Sequence, residues 1–443
     1  MLKSFLDPLS GVHVPHRKNT AHLEAVRMPP PESVVIPTVM HIGAPAKPVV
    51  KAGDKVAVGQ LIAEPGGFIS APIHASVSGT VKKVEDVVLS NGRQAPAIYI
   101  DSDGEMRPFE GLKKPEVDSL SALADAVRES GIVGLGGAGF PTSVKFAIKD
   151  VSKVEFIVIN GAECEPYITS DTRTMLDFTD LIVSGVHRVS ALTDPKAVYI
   201  GVEKNKPKAI KKLREMFKDD PKVIVKGLPP MYPQGGEKVL IYNTTGRIVP
   251  EGKLPLDVGV VILNVTTLAN IERYITTGMP LVEKLITVDG SAVKEPKNVF
   301  VPIGTRLSDV FEFCGGFKAE PKKILYGGPM MGTAVPDLTV PVIKNTNAVL
   351  AFAEKDAGVP EETPCIRCGN CVNHCPMRLN PPAIAKAFNN KDGEALYRQR
   401  VNLCMECGAC SFICPAHQPI VQRHKLAKIV LRDWQNAQKG GKA

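Results

Sequence analysis

CIRCGNCVNHCP, residues 365–376, and its echo CMECGACSFICP, residues 404–415, decide how the chain ends. Each reads Cys-x2-Cys-x2-Cys-x3-Cys-Pro. A tight loop with that spacing sets three thiolates on three corners of one iron–sulfur cubane, while the fourth cysteine points away and ligates the other cluster. The pair predicts two [4Fe-4S] clusters with crossed ligation. One falls to Cys365, Cys368, Cys371 and Cys414, the other to Cys404, Cys407, Cys410 and Cys375. Paired zinc sites, the alternative, use four cysteines per ion with a wider gap between Cys-x2-Cys pairs. Ile366, Val372, Phe412 and Ile413 would shield sulfide from water, and backbone amides would tune the potential. Segments 382–401 and 420–438 carry helical patterns, so this unit, 360–443, mixes loops with helices.

Outward from the motif, eight of the ten cysteines lie between Cys365 and Cys414 of a 443-residue chain, which points to metal rather than to a disulfide framework. A composition of 44% hydrophobic and 23% charged residues excludes a disordered or fibrous chain, and the length allows about three domains. The apolar runs, such as that around residues 258–263, fall far below the roughly 18 residues of a membrane span. The start shows no apolar run ahead of a small-residue cleavage site, so a cytoplasmic chain is expected. Basic residues number 54 and acidic ones 46, a net charge of +8. From Cys365 onward there are 12 basic and 4 acidic residues, so the whole excess sits in that stretch and no nucleic-acid partner is expected.

Residues 1–33 are polar and end in Arg27-Met28-Pro29-Pro30-Pro31, an extended lead. From 34 to 105, short β-branched runs alternate with turn pairs such as Gly53-Asp54 and Ser78-Gly79, the pattern of a small all-β unit. At 118–280 the period changes. Leu120, Leu123, Ala124 and Val127 fall at helical spacing behind a capping Asp118 or Ser119, and Gly131 closes the segment. Runs at 156–159, 197–202, 223–225 and 260–263 read as buried strands, with helices at 174–191 and 207–217, giving an α/β layer with a largely parallel sheet. At 281–335, two strands, a Gly304-Thr305 turn and a helix at 307–314 suggest a β-grasp module.

Two further stretches carry chemistry. GLGGAGFPT, residues 134–142, contains Gly134, Gly136, Gly137 and Gly139 with Lys145 just beyond, and it follows a helix rather than the strand of a dinucleotide fold. Glycines there allow close backbone approach to a flat or phosphorylated ligand, with amides as donors and Lys145 as counter-charge. A tight interdomain turn is the alternative. NGAECEP, residues 160–166, comes straight after the 156–159 strand, and Asn264 ends the 260–263 strand. Ligands of open α/β sheets bind outside the carboxyl ends of strands, which nominates Asn160, Glu163, Glu165 and Asn264. Cys164 has no histidine near it in sequence and reads as a small buried filler, and Cys314, after Phe311 and Phe313, as core.

The glycine loop, NGAECEP, YPQGGE (232–237) and LNVTTL (263–268) together resemble the FMN- and NADH-binding subunit of respiratory complex I. The all-β front, with SAPIHA at 70–75, resembles a lipoyl-type barrel-sandwich domain whose hairpin has no lysine between Gly59 and Gly79, so a structural role is expected. Adding the SLBB-like β-grasp module, GGPMMG at 327–332 and an α-helical double-cluster ferredoxin domain, nearly the whole multidomain α+β chain is similar to the C subunit of the Rnf complex, a membrane-bound ferredoxin:NAD oxidoreductase that pumps ions. The resemblance implies FMN against Gly134, Gly136, Lys145, Asn160 and Asn264, and NADH stacked near Phe140 with Glu165 and Glu237 by the nicotinamide half. Leu135, Ala162, Gly236 and Leu263 depart from the complex I pattern and thin the flavin's polar contacts. It also implies partner subunits and a peripheral place on the cytoplasmic side of the cell membrane. A basic amphipathic helix bearing Leu426, Ile429 and Trp434 is a candidate for docking or for simple packing. Cobalamin reductases of bacterial microcompartments share the layout and form the alternative, as does a non-catalytic electron wire. The related sodium-pumping quinone reductase shares the front half in one of its subunits, which lacks the twin motif.

Overall fold

The computed structural model describes residues 10–440 and contains four hydrogen-bonded sheets and a helical end unit. Alternation builds the front. Ser33–Pro37 runs antiparallel to Gln94–Ser102, which pairs with Gly79–Val88 and, beyond it, Lys55–Val56. The inward Val34, Ile36, Val81, Ile98 and Ile100 are at most 1% exposed and share a core with Ile62 and Ile73 of a second, three-stranded layer. Residues 70–75, the hairpin that would present a carrier lysine, are buried throughout. The Pro72 carbonyl in that hairpin accepts a hydrogen bond from Lys344 Nζ at 2.5 Å, and the same ammonium donates to the Gly131 carbonyl at 2.7 Å. The hairpin is therefore fastened to the start of the glycine loop. One apolar core runs from Val34 and Ile98 through Leu123, Val133 and Leu135 to Ile159 and Leu263.

Behind the front lies a four-stranded parallel sheet in the order Val223–Leu228, Ala197–Glu203, Phe156–Gly161, Val260–Asn264. The Phe156–Gly161, Ala197–Glu203 and Val260–Asn264 strands are short, largely apolar and buried on both faces, whereas the edge strand Val223–Leu228 exposes Ile224 and Lys226. The Leu120–Glu129 helix is capped by Ser119, whose Oγ accepts from Ala122 N, and it buries Leu123, Ala126 and Val127 at helical spacing. The single helix read at 174–191 is two, Ser170–Asp177 and Thr179–Thr193. Phe178 leaves the helical path between them and meets Phe300 edge-on, ring centroids 5.5 Å apart. The first of the two starts earlier than its local pattern because the Glu163 carboxylate caps it.

The β-grasp sheet is wider than residues 281–335. Glu283–Asp289 and Lys297–Pro302 pair antiparallel, but the fully buried Ala348–Phe352 runs parallel to the first and antiparallel to Lys323–Tyr326, so the sheet draws on chain beyond residue 335. At its other edge lies Val26–Arg27 from the lead. That lead is stitched into the body: Val12 exchanges backbone hydrogen bonds with Tyr232, and Thr20 Oγ1 meets Thr169 Oγ1 at 2.6 Å. Its residues 1–9 lie outside the described residues.

In the end unit, Pro381–Asn389, Gly393–Arg398 and Ile420–Gly440 pack around Ile384, Leu396, Val401, Ala427 and Leu431. The two motif loops repeat each other's backbone. Arg367 and Glu406 are left-handed at φ 59° and 58°, Gly369 and Gly408 at 77° each, and Arg378 and His417 at 53° and 50°. Short helices, Asn370–Asn373 and Ala409–Phe412, follow at equivalent places. No helix among the described residues is long and apolar enough to cross a membrane.

Candidate functional site

The parallel sheet brings Asn160 and Asn264 side by side, since they are register partners at the carboxyl ends of neighbouring strands. Asn264 Oδ1 caps the Val265–Thr277 helix through Thr266 N and Thr267 N, and its Nδ2 donates to Asp171 Oδ2 at 2.8 Å. Asn160 Nδ2 donates to the Gly235 carbonyl at 2.9 Å, and its Oδ1 accepts from Ala162 N. The glycine loop closes on itself through Gly134 N to Phe140 O at 2.8 Å and is tied to the helix cap by Leu135 N to Thr267 Oγ1 at 3.0 Å. A Cβ on Gly136 would lie 2.5 Å from Asn264 Nδ2, so only glycine lets this loop lie over the strand end. Gly136, Gly137 and Ala138 are exposed, and Phe140 is half-buried at the loop's end. Lys145 Nζ reaches Glu237 Oε2 and the Ile262 carbonyl, both at 3.0 Å. The glycine loop of Gly134, Gly136, Gly137 and Gly139 thus lies over the strand ends that carry Asn160 and Asn264, with exposed amides at Gly136 and Gly137 and the Lys145–Glu237 pair beside that sheet, a donor set suited to a phosphorylated planar cofactor.

Glu163 and Glu165 turn elsewhere. Glu163 accepts from Asp171 N at 2.7 Å and from Thr172 N and Oγ1, and burial pushes its carboxyl up to about 7. The two Glu165 oxygens accept from Met330 N at 3.0 Å and Met331 N at 2.8 Å, and burial likewise raises it to about 7. The GGPMMG loop is clasped to the NGAECEP turn by that carboxylate. Two lysines hold the turn's carbonyls from beneath. Lys18 Nζ donates to the oxygens of Glu163 at 2.8 Å, Glu165 at 2.7 Å and Ile168 at 2.5 Å, while Lys206 Nζ reaches Glu203 Oε2 at 2.7 Å and Glu163 O at 3.2 Å. Sequence reasoning missed both lysines, and also Asn345, whose Nδ2 donates to the Gly137 carbonyl at 3.1 Å. Nothing periodic marks them. Burial pushes the Cys164 thiol up to about 12, which leaves it unreactive beneath Gly235 N.

In the end unit the tail cysteine of each motif lies nearer the thiols of the other motif than its spacing alone requires. Cys371 has Cys414 and Cys365 as electrostatic neighbours, whereas Cys404, Cys407 and Cys410 each have Cys375. The latter four line one small apolar cavity with Pro376, Leu379, Val421 and His424. Among the described residues no three His, Cys, Asp or Glu side chains converge on one point. Burial pushes Cys407 and Cys410 up to about 12, so thiolates there require metal charge beside them. These residues fit the clusters that the motif demands. Cys365 and Cys368 are exposed, which places the first cradle at the surface.

Family models match the chain in order: RnfC barrel sandwich hybrid domain, 7–105; Nuo51 FMN-binding domain, 127–273; SLBB domain, 285–334; and 4Fe-4S dicluster domain, 364–419. The C subunit of the proton-translocating ferredoxin:NAD(+) oxidoreductase complex of Clostridium ljungdahlii is 44% identical over 389 residues, 87% of this chain and 84% of that one. The C subunit of the Na(+)-translocating complex of Acetobacterium woodii is 42% identical over 383 residues, 85% and 86% of the two chains. Among solved structures, an NAD+-reducing [NiFe]-hydrogenase in the H2-reduced state aligns with TM-score 0.50 at 17% identity, over 71% of this chain and 63% of that one, a likeness of fold.

Proposed function

The chain belongs to the family of C subunits of ion-translocating ferredoxin:NAD(+) oxidoreductase complexes, and on that premise we propose that it is the peripheral subunit through which such a complex exchanges electrons with NADH. FMN, when bound, accepts two electrons from NADH as a hydride and releases them singly, and the two [4Fe-4S] clusters carry single electrons onward, or the reverse. The chain's own residues bind and align. The exposed amides of Gly136 and Gly137 and the Lys145 ammonium would receive the flavin phosphate, with Asn160 and Asn264 toward the ring and Phe140 at the rim for the nicotinamide. Glu237 is paired with Lys145, so it sets that lysine's position and would stand by the nicotinamide half. Glu163 and Glu165 act indirectly: one starts the Ser170–Asp177 helix whose Asp171 orients Asn264, and the other fixes the GGPMMG loop.

The observation that carries the reading is adjacency. Met405 and Cys407 line the cavity with Cys375, Cys404 and Cys410; Met405 lies against Gly236, Tyr232 donates to the Cys407 carbonyl, and the Gly235 carbonyl of the same 232–236 loop is held by Asn160. Two-electron and one-electron sites then share a wall. NADH is a cytoplasmic reductant, so we place the chain on the cytoplasmic side, attached through partner subunits. Anaerobic purification with flavin and iron analysis and an NADH titration tests the proposal. About eight irons and one flavin, both bleached by NADH, are expected. A chain with iron but no NADH response would refute it.

A further inference from the structure

The flavin-side loop and the second cysteine cradle meet along one buried seam. Tyr232 is 1% exposed, and its hydroxyl donates to the Cys407 carbonyl at 2.7 Å. Further along the loop, toward the cleft, a Cβ on Gly236 would collide with Met405 Cε, so Met405, next to Cys404, lies flush on the loop. Val12, Val14, Cys164, Cys407 and Ala409 pack around Tyr232 and exclude water. On the flavin side the loop is anchored at Gly235, by Asn160 Nδ2 on its carbonyl and Cys164 Sγ on its N–H. The wall between cleft and cradle is thus one loop, fixed at its cleft end by Asn160 and at its cluster end by Tyr232.

We propose that Tyr232 is a positioning residue for electron transfer: its hydroxyl fixes the Cys375, Cys404, Cys407 and Cys410 cradle against the flavin cleft and raises the reduction potential of the cluster held there. The proposal rests on the cofactor reading above. The phenol gains no electron and loses no proton. Its O–H dipole puts a positive end on the peptide of a ligating cysteine, where it stabilises the extra negative charge of the reduced cluster, and hydrogen bonding and solvent access are the protein's levers on cluster potential. Cys365 and Cys368 of the other cradle are exposed, so the two clusters respond differently to a change at this seam.

The test uses Tyr232→Phe, which keeps the ring, and Tyr232→Leu, which opens the seam, both in the holo-protein purified anaerobically. Iron and flavin content are measured first, and the potentials of both clusters are then read by EPR-monitored redox titration. A Cys375→Ser variant identifies the signal of the second cradle. Tyr232→Phe is expected to keep its iron and flavin while the potential of that one signal falls and the other stays. Tyr232→Leu is expected to add a slower bleaching of cluster absorbance after NADH is mixed in. Unchanged potentials, an equal shift of both clusters, or loss of iron from Tyr232→Phe would each overturn the proposal. A parent protein without two cluster signals would instead refute the cofactor reading.

Discussion

Lys18→Met tests whether the candidate site is held from beneath by the lead. Methionine keeps most of the stem's apolar packing and removes the ammonium that donates to Glu163 O, Glu165 O and Ile168 O. Glu163 O keeps Lys206 as a donor, so two carbonyls lose theirs. An unsatisfied buried carbonyl costs about 1–3 kcal/mol, giving about 2–6 kcal/mol for the pair. Relief of an enclosed ammonium, whose pKa burial lowers to about 8, returns part of this, and we expect a net loss of about 2 kcal/mol. For a cooperative unit of about 150–250 residues that is a melting-temperature drop of about 4–8 °C. The loosened turn carries Asn160, so FMN binding should weaken roughly tenfold, about 1.4 kcal/mol. Calorimetry and flavin-fluorescence titration measure the two effects. Lys18→Arg should rescue little, because a planar fork does not place three donors on one point. A melt unchanged within about 1 °C together with unaltered FMN affinity would show that Lys206 alone holds the turn, and the argument would fail.

Three further outcomes follow from the same geometry. Cys375→Ala should abolish the EPR signal of the second-motif cluster and Cys414→Ala that of the first, since each tail cysteine serves the other cradle; damage confined to a residue's own motif would contradict the crossing. Lys145→Ala should leave the fold intact and lower FMN affinity about tenfold, by loss of one charge-assisted contact to phosphate, read as flavin retained after gel filtration. For pH, the Glu165 carboxyl is raised from 4.5 to about 7 in the folded chain, so between those values the folded state binds more protons than the unfolded one. Its contribution is fully present below about pH 4.5 and is lost as pH rises through about 7. Glu165→Gln should flatten that slope, and denaturant midpoints of parent and variant that keep a constant gap across the window would refute it.

What the sequence disclosed was whatever rests on local spacing. The twin cysteine motif, the glycine loop and the strand ends at Asn160 and Asn264 each carry their reason within about ten residues, because a metal cradle, a close backbone approach and a strand terminus are all short-range objects. Hidden were the features closed by distant chain. The helix of residues 170–177 starts where it does because Glu163 accepts from Asp171 N and Thr172 N, a cap no local pattern announces. The Ala348–Phe352 strand lies beyond the span read as the β-grasp module, yet it sits at the middle of that sheet. Lys18 lies in a segment that reads only as extended and polar, and its role is fixed by carbonyls about 150 positions away.

Charge shows the same division most sharply. The excess of basic residues after Cys365 invites a reading of the last helix as a docking surface, and its apolar positions recur at helical spacing. The structure divides those positions between two uses. Ala427 and Leu431 are buried in the ferredoxin core, and Trp434 presses so closely on Gly393 that no side chain fits there. The cations are divided too: Lys428 Nζ donates to the Cys404 carbonyl at 2.7 Å and to Glu406, and Arg423 pairs with Glu362. Leu426 and Ile429 remain exposed at 51% and 45%. The helix is therefore a wall of the second cluster's cradle before it is anything else, and a partner that uses Leu426 and Ile429 would touch the outer face of an element whose inner face holds the backbone of a ligating cysteine. The exposed Leu426 and Ile429 and the Lys428 ammonium on the Cys404 carbonyl are carried by one helix.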